Sequence, residues 1–284
     1  MKFGASMFFT EYSIGPAALA RAMEERGFDC LFAPEHSHIP LSRKTPFPLG
    51  PDLPKRYFDV MDPFVTLTAA AAATTTLTLG TGVCLVAQRD PIQTAKLVAS
   101  IDVVSAGRFL FGIGNGWNRD EMENHGTDFP QRHKLVRERI EAMKAIWTQD
   151  AAEYHGDFVD FGPMAAWPKP ARAPHPPILI GGAFPYSARR AIRYGDGWMP
   201  QVTAGDKAPL TEVIPQFRQM AAEAGRDPAA LQIVVGAQPP DAALIARYQA
   251  LDVDMVYPSL PSEPADAILP ILDQWMEIKR QLTA

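Results

Sequence analysis

The stretch RFLFGIGNGW, Arg108 to Trp117, decides the fold. RFLFGIG reads as a strand, with aromatic and branched residues running into Gly112 and Gly114. The glycines let backbone pass where a side chain would not fit. A strand that ends in glycines at its carboxyl end is where α/β folds place ligands.

Upstream, Lys2 to Phe8 reads as a first strand, and a helix opens at Gly15-Pro16 and closes at Gly27. FDCLFAP, Phe28 to Pro34, is a mostly apolar second strand, which implies burial on both faces and parallel pairing. Glu35 to Val60 holds five prolines in 26 residues and reads as a long loop over a pocket mouth. Asp62-Pro63 and Asp90-Pro91 each look like an N-cap followed by an N1 proline. They open helices to about Ala73 and to near Gly107. Leu77 to Val86 lies between them and holds the third strand and its turn.

Downstream of Trp117, an irregular polar segment leads to a helix over Gln131 to Thr148 and a hairpin around His155-Gly156. Strands follow at Ile178 to Ile180, Asp196 to Met199, LQIVVG and VDMVYP, separated by helices, with a last helix over Ala265 to Lys279. Eight strands, each followed by helix, predict a closed (β/α)8 TIM barrel with loop insertions, and a doubly wound open sheet is the main alternative. No linker divides the chain, so residues 1–284 read as one domain.

Composition bounds the function. With 47% hydrophobic residues the chain can bury a sizeable core. A net charge of −5 with scattered Lys and Arg argues against nucleic acid as a partner. Cys30 and Cys84 stand alone, without CxxC spacing, which fits a reducing, cytoplasmic setting and no cysteine metal site. No signal peptide and no apolar run of membrane-spanning length are read.

Four rim segments carry chemistry. Gly112, Gly114 and Gly116 form GxGxG, but a dinucleotide fingerprint would need glycine where Trp117 stands and a helix directly after it, so the bland reading is a tight turn. Glu35-His36 ends the second strand, where the imidazole can exchange a proton with a reacting group or simply be hydrogen-bonded within its loop. His36-x-His38 resembles a metal pair, but the later strands end in Val83, Asn115 and Gly181, so no metal is expected. Gly181-Gly182 precedes a helix opening near Pro185 and suits a phosphate, unless it is an ordinary turn. Gly80 to Val83 is small enough for close approach by a flat ring, or for a bulge. Trp198 reads as core.

These pieces, in order, resemble the luciferase-like family of flavin and deazaflavin barrel enzymes, and within it the probable coenzyme F420-dependent branch. The resemblance is carried by FAPEH (Phe32 to His36), LGTGV (Leu79 to Val83), RDP (Arg89 to Pro91), GRFLFGIGNGW (Gly107 to Trp117), FVDF (Phe158 to Phe161), KP…HPPILIGG (Lys169 to Gly182) and GDGWMP (Gly195 to Pro200). It implies a non-proline cis peptide at Gly82-Val83 behind the cofactor ring. It also implies Glu35 and His36 near the ring's reactive edge, Asn115 and Gly116 beside it, and Trp117 as a wall. Gly181, Gly182 and Ala183 match the family's phosphate turn. The chain departs from the pattern at Phe184, so backbone amides, with Ser187 or Arg190, would have to hold the phosphate. Three functions are compatible: hydride transfer with F420, oxygen chemistry with FMN, or a flavin-binding barrel without turnover. The substrate is expected to be a small, largely apolar organic molecule, and the family implies a homodimer.

Overall fold

Runs such as FLFGIG and ILIGG lack polar alternation because both faces of the strands are buried. The computed structural model describes residues 1–201 and 208–283. Its barrel strands are β1 (Lys2–Met7), β2 (Cys30–Ala33), β3 (Thr78–Thr81), β4 (Phe109–Gly114), β5 (Ile178–Gly182), β6 (Gly197–Pro200), β7 (Gln232–Val235) and β8 (Met255–Val256). Each pairs in parallel with its neighbours in chain order, and β8 pairs with β1 at Lys2–Met255 and Phe3–Val256. The sheet is therefore a closed eight-stranded (β/α)8 TIM barrel, not an open one.

The outer helices are α1 (Pro16–Glu25), α2 (Pro63–Ala72), α3 (Pro91–Val104), α4 (Arg132–Thr148), α5 (Tyr186–Tyr194), α6 (Leu210–Glu223), α7 (Ala242–Ala250) and α8 (Ala265–Thr283). The aspartate–proline caps form as expected. Asp62 Oδ1 accepts from the amides of Phe64 and Val65, and Asp90 Oδ1 from that of Gln93. Each such cap contributes about 1 kcal/mol.

Alternation along the strands separates two cores. Leu31, Phe109, Phe111, Ile113, Ile178 and Ile180 face the helices, whereas Phe32, Leu110, Leu179, Met199, Val234 and Tyr257 fill the barrel interior. Gly112 and Gly114 share the inward face with Leu110, two and four residues on. A Cβ on Gly112 would lie 2.0 Å from the Thr81 carbonyl oxygen and 3.0 Å from the Met199 sulfur. The glycine is thus required inside the strand, not only in the turn after it.

Two segments expected to be irregular contain short helices, Arg56–Asp59 and Arg119–Asn124. Neither has an apolar stripe long enough to be read from sequence, since RDEMEN buries one hydrophobic residue, Met122, on a polar background. The hairpin is present as Ala152–His155 paired with Asp160–Met164. Among the described residues, no helix is long and apolar enough to cross a membrane.

Candidate active site at the carboxyl rim of the barrel

After β3 the chain makes a cis Gly82–Val83 peptide and then returns to β4 through Cys84 and Leu85. Gly80 pairs with Leu110 and Cys84 with Ile113, so one strand carries an extra residue, a bulge. The bulge places Val83 over Gly114 and Gly181. Its two γ-methyls lie 2.5 Å from a Cβ placed on Gly114 and 2.8 Å from one placed on Gly181. Val83, Gly114 and Gly181 therefore form one small-residue wall spanning β3 to β5.

Asn115 and Gly116 continue from that wall. Asn115 is buried, and among the described residues neither its amide nitrogen nor its oxygen has a partner. Gly116 adopts φ +74°, and a Cβ there would meet Met122 Cε at 2.2 Å. Trp117 follows, with its ring 5.7 Å from the His36 ring and 5.6 Å from Phe47. Tyr57 closes the other side, 5.3 Å from His36 and 5.1 Å from Phe47. The loop after β2 thus caps the rim with aromatic rings, and burial pushes the Tyr57 hydroxyl's pKa up.

His36 and Glu35 diverge in their surroundings. Glu35 is buried, with Oε2 accepting from the Leu85 amide at 2.7 Å and Oε1 from Arg89 at 2.5 Å. Arg89 also donates to Asp62 at 2.6 Å, which ties the rim to the α2 cap. His36 instead bonds through Nδ1 to Glu121 Oε2 at 2.8 Å. Glu121 is fully buried, and its Oε1 accepts from the Ser37 amide at 3.1 Å. Among the described residues, His36 Nε2 has no hydrogen-bond partner. Sequence reading missed Glu121, which lies 85 residues from His36 on the short helix hidden by its polarity.

The β5 turn lies on the same rim. Gly182 takes φ +130°, and Arg190 Nη2 lies 3.8 Å from a Cβ placed on it. Ala183 follows, partly buried, before α5. Ser187, one of the two side chains expected to help with phosphate, is committed elsewhere. Its hydroxyl donates toward the carbonyls of Gly182 and Ala183 and accepts from Trp198 Nε1 at 2.8 Å. Trp198 is core, as expected. Arg190 has no salt bridge among the described residues and its Nε is unpartnered, as is that of Arg132. Desolvation lowers both guanidinium groups' pKa values. His133, although exposed as a residue, is pushed down to about 4 by desolvation and by the Arg132 and Arg190 charges. A separate cleft of about 480 Å³, between Arg189, Arg193, Met220 and Arg226, lies on the outer helices away from this rim.

Residues 36, 83, 116 and 181 thus converge on one end of the barrel. Among the described residues no His, Cys, Asp and Glu group has metal-site geometry. A small-residue wall, a buried amide without partners and a free imidazole nitrogen suit a flat heterocycle with polar edges.

The sequence matches the luciferase-like monooxygenase family over residues 16–242. An uncharacterized protein of Mycobacterium tuberculosis is 40% identical over 275 residues, 94% of each chain. The F420-dependent hydroxymycolic acid dehydrogenase of the same organism is 30% identical over 174 residues, 60% of this chain and 47% of its own. The crystal structure of the monooxygenase RslO1 from Streptomyces bottropensis superposes over 100% of both chains with a TM-score of 0.80, at 22% identity.

Proposed function

The chain belongs to the luciferase-like monooxygenase family, and from that footing we propose that it is an F420-dependent oxidoreductase. It would move a hydride between the deazaflavin and a small organic substrate. The observation that carries this reading is His36, a buried imidazole with Nε2 free on the rim that also bears the glycine wall. When bound, the deazaflavin would supply hydride exchange, whereas FMN would supply oxygen activation.

The chain's own residues have separable tasks in this reading. Gly114 and Gly181 leave room for the Val83 side chain, which would back the ring. Asn115 offers one donor and one acceptor to the ring's polar edge, which relieves the unpaired state of its buried amide. Trp117, with Phe47 and Tyr57, excludes water. The amides of Gly182 and Ala183, with Arg190, hold phosphate. His36 gives or takes the proton that accompanies hydride movement. Glu35 is a positioning residue, because both its oxygens are already bonded to Leu85 and Arg89.

Two features support the deazaflavin over FMN. One is that the relative named as F420-dependent aligns over 60% of this chain, against 38% for one named as FMNH2-dependent. The other is a pair of arginines, Arg190 at the phosphate turn and Arg132 close enough to feel its charge, which suits a strongly anionic cofactor tail.

Titration of the purified protein with F420 and with FMN tests the reading. Quenching of deazaflavin fluorescence, with turnover that His36→Ala cuts sharply to a measurable residue while binding persists, is the expected result. A yellow, FMN-loaded protein that consumes oxygen with a flavin reductase would establish the FMN reading instead. Binding without turnover on a broad substrate panel would point to a cofactor carrier.

A further inference from the structure

We propose that Glu121 is a positioning residue that fixes the His36 tautomer, with hydrogen on Nδ1 and the lone pair on Nε2. This rests on the reading of His36 as the proton-exchanging group. A carboxylate carries no hydrogen to donate. Glu121 Oε1 already accepts from the Ser37 amide at 3.1 Å, and Oε2 faces His36 Nδ1 at 2.8 Å. That contact holds only if Nδ1 is the donor, so in the neutral ring Nε2 is bare. Nε2 makes no hydrogen bond among the described residues. The pair is well shielded, with the His36 side chain 6% exposed and that of Glu121 0%. Tyr57 and Trp117 pack against the ring, with centroids at 5.3 and 5.7 Å. Ser37 Oγ continues outward to His38 Nδ1 at 2.9 Å and His125 Nε2 at 2.7 Å, which anchors the short helix that carries Glu121.

The geometry makes an isosteric substitution unusually informative. In Glu121→Gln the amide must divide one acceptor and one donor between two partners. The Ser37 backbone N–H can only donate, so the carbonyl end goes there. The NH2 end then faces Nδ1, which must accept, and the ring hydrogen moves to Nε2. The variant keeps the side chain's shape and inverts the tautomer.

The test uses the protein labelled with 15N-histidine, free of cofactor and in mildly alkaline solution. Nitrogen chemical shifts are expected to report a bare Nε2 in the parent protein and a bare Nδ1 in Glu121→Gln, with similar thermal melts. The same tautomer in both proteins, or a protonated Nε2 in the parent, overturns the assignment. The second readout is kinetic. Glu121→Gln is expected to lower kcat by about 10²–10⁴, the range that general acid–base catalysis contributes, while cofactor Kd and substrate KM stay within about twofold. In a His36→Ala background the same change should cost nothing further. An inverted tautomer with unchanged kcat removes Nε2 as the reacting nitrogen. A parent protein that shows the expected tautomer but no F420 turnover fails the functional reading alone.

Discussion

Val83 and Gly114 interlock, in that a Val83 γ-methyl stands 2.5 Å from where a Cβ on Gly114 would sit. Val is stiff about χ1, so the methyl cannot swing aside cheaply. Gly114→Ala should displace Val83, costing about 1–3 kcal/mol of stability and weakening cofactor binding. Gly112→Ala should cost more, about 3 kcal/mol or above, because the obstructing atom is the Thr81 backbone oxygen at 2.0 Å. Urea midpoints check the order, and equal losses would count against this account.

Asn115 separates ligand binding from folding. Its amide is buried with both polar atoms unpaired among the described residues, so Asn115→Ala should leave stability of the cofactor-free protein within about 1 kcal/mol or raise it. Cofactor affinity should fall about tenfold, the equivalent of one ordinary hydrogen bond. Melting curves and a cofactor titration on the same preparation measure both. A large stability loss with unchanged affinity would assign Asn115 to the scaffold.

Arg89 is the counter-ion of buried Glu35, and the pair is 19% and 4% exposed at the side chain. Removing one partner strands the other, so Arg89→Met should cost about 3–5 kcal/mol. Arg89→Met with Glu35→Gln should recover a substantial part of that loss. Equilibrium unfolding of the two single variants and the double variant gives the coupling. A double variant as unstable as Arg89→Met would show that the carboxylate is stabilised by something other than Arg89.

Ser187 holds Trp198 rather than a ligand. Ser187→Ala leaves a fully buried indole N–H without its acceptor, at a cost of about 1–3 kcal/mol. Cofactor affinity should be unaffected. Arg190→Gln should do the reverse, raising cofactor Kd several-fold and flattening its salt dependence. Fluorescence titrations at two salt concentrations distinguish the two variants.

Acid stability has an identifiable contributor at the foot of the barrel. Glu24 on α1 accepts from the amides of Thr75, Thr76 and Leu77 before β3. Desolvation raises its carboxyl, but these donors outweigh it and lower the group from 4.5 to about 2. A lowered folded-state value stabilises the protein above the unfolded value, so the contribution is full above pH 4.5 and is lost as pH falls toward 2. Glu24 is partly exposed, so about 1–2 kcal/mol is expected after solvent screening. Glu24→Gln should lower the melting temperature near neutral pH and converge with the parent in acid. A constant difference across that range would contradict the assignment.

Strand and helix order was legible from local pattern alone. Apolar runs, aspartate–proline caps and glycine stops act within a few residues of themselves, and they placed all eight strands and the segments that end at the rim. His36, Val83, Gly116 and Gly181 could be proposed together because strand ends in this architecture share one face. Tertiary structure decided what those residues touch. Closure of the barrel brought Glu121 to His36 across 85 residues, gave Ser187 to Trp198, and set the Thr81 carbonyl where a Gly112 side chain would be. Periodicity records which face of an element is buried, but not which distant atom fills the space against it. That is fixed only when the eighth strand meets the first.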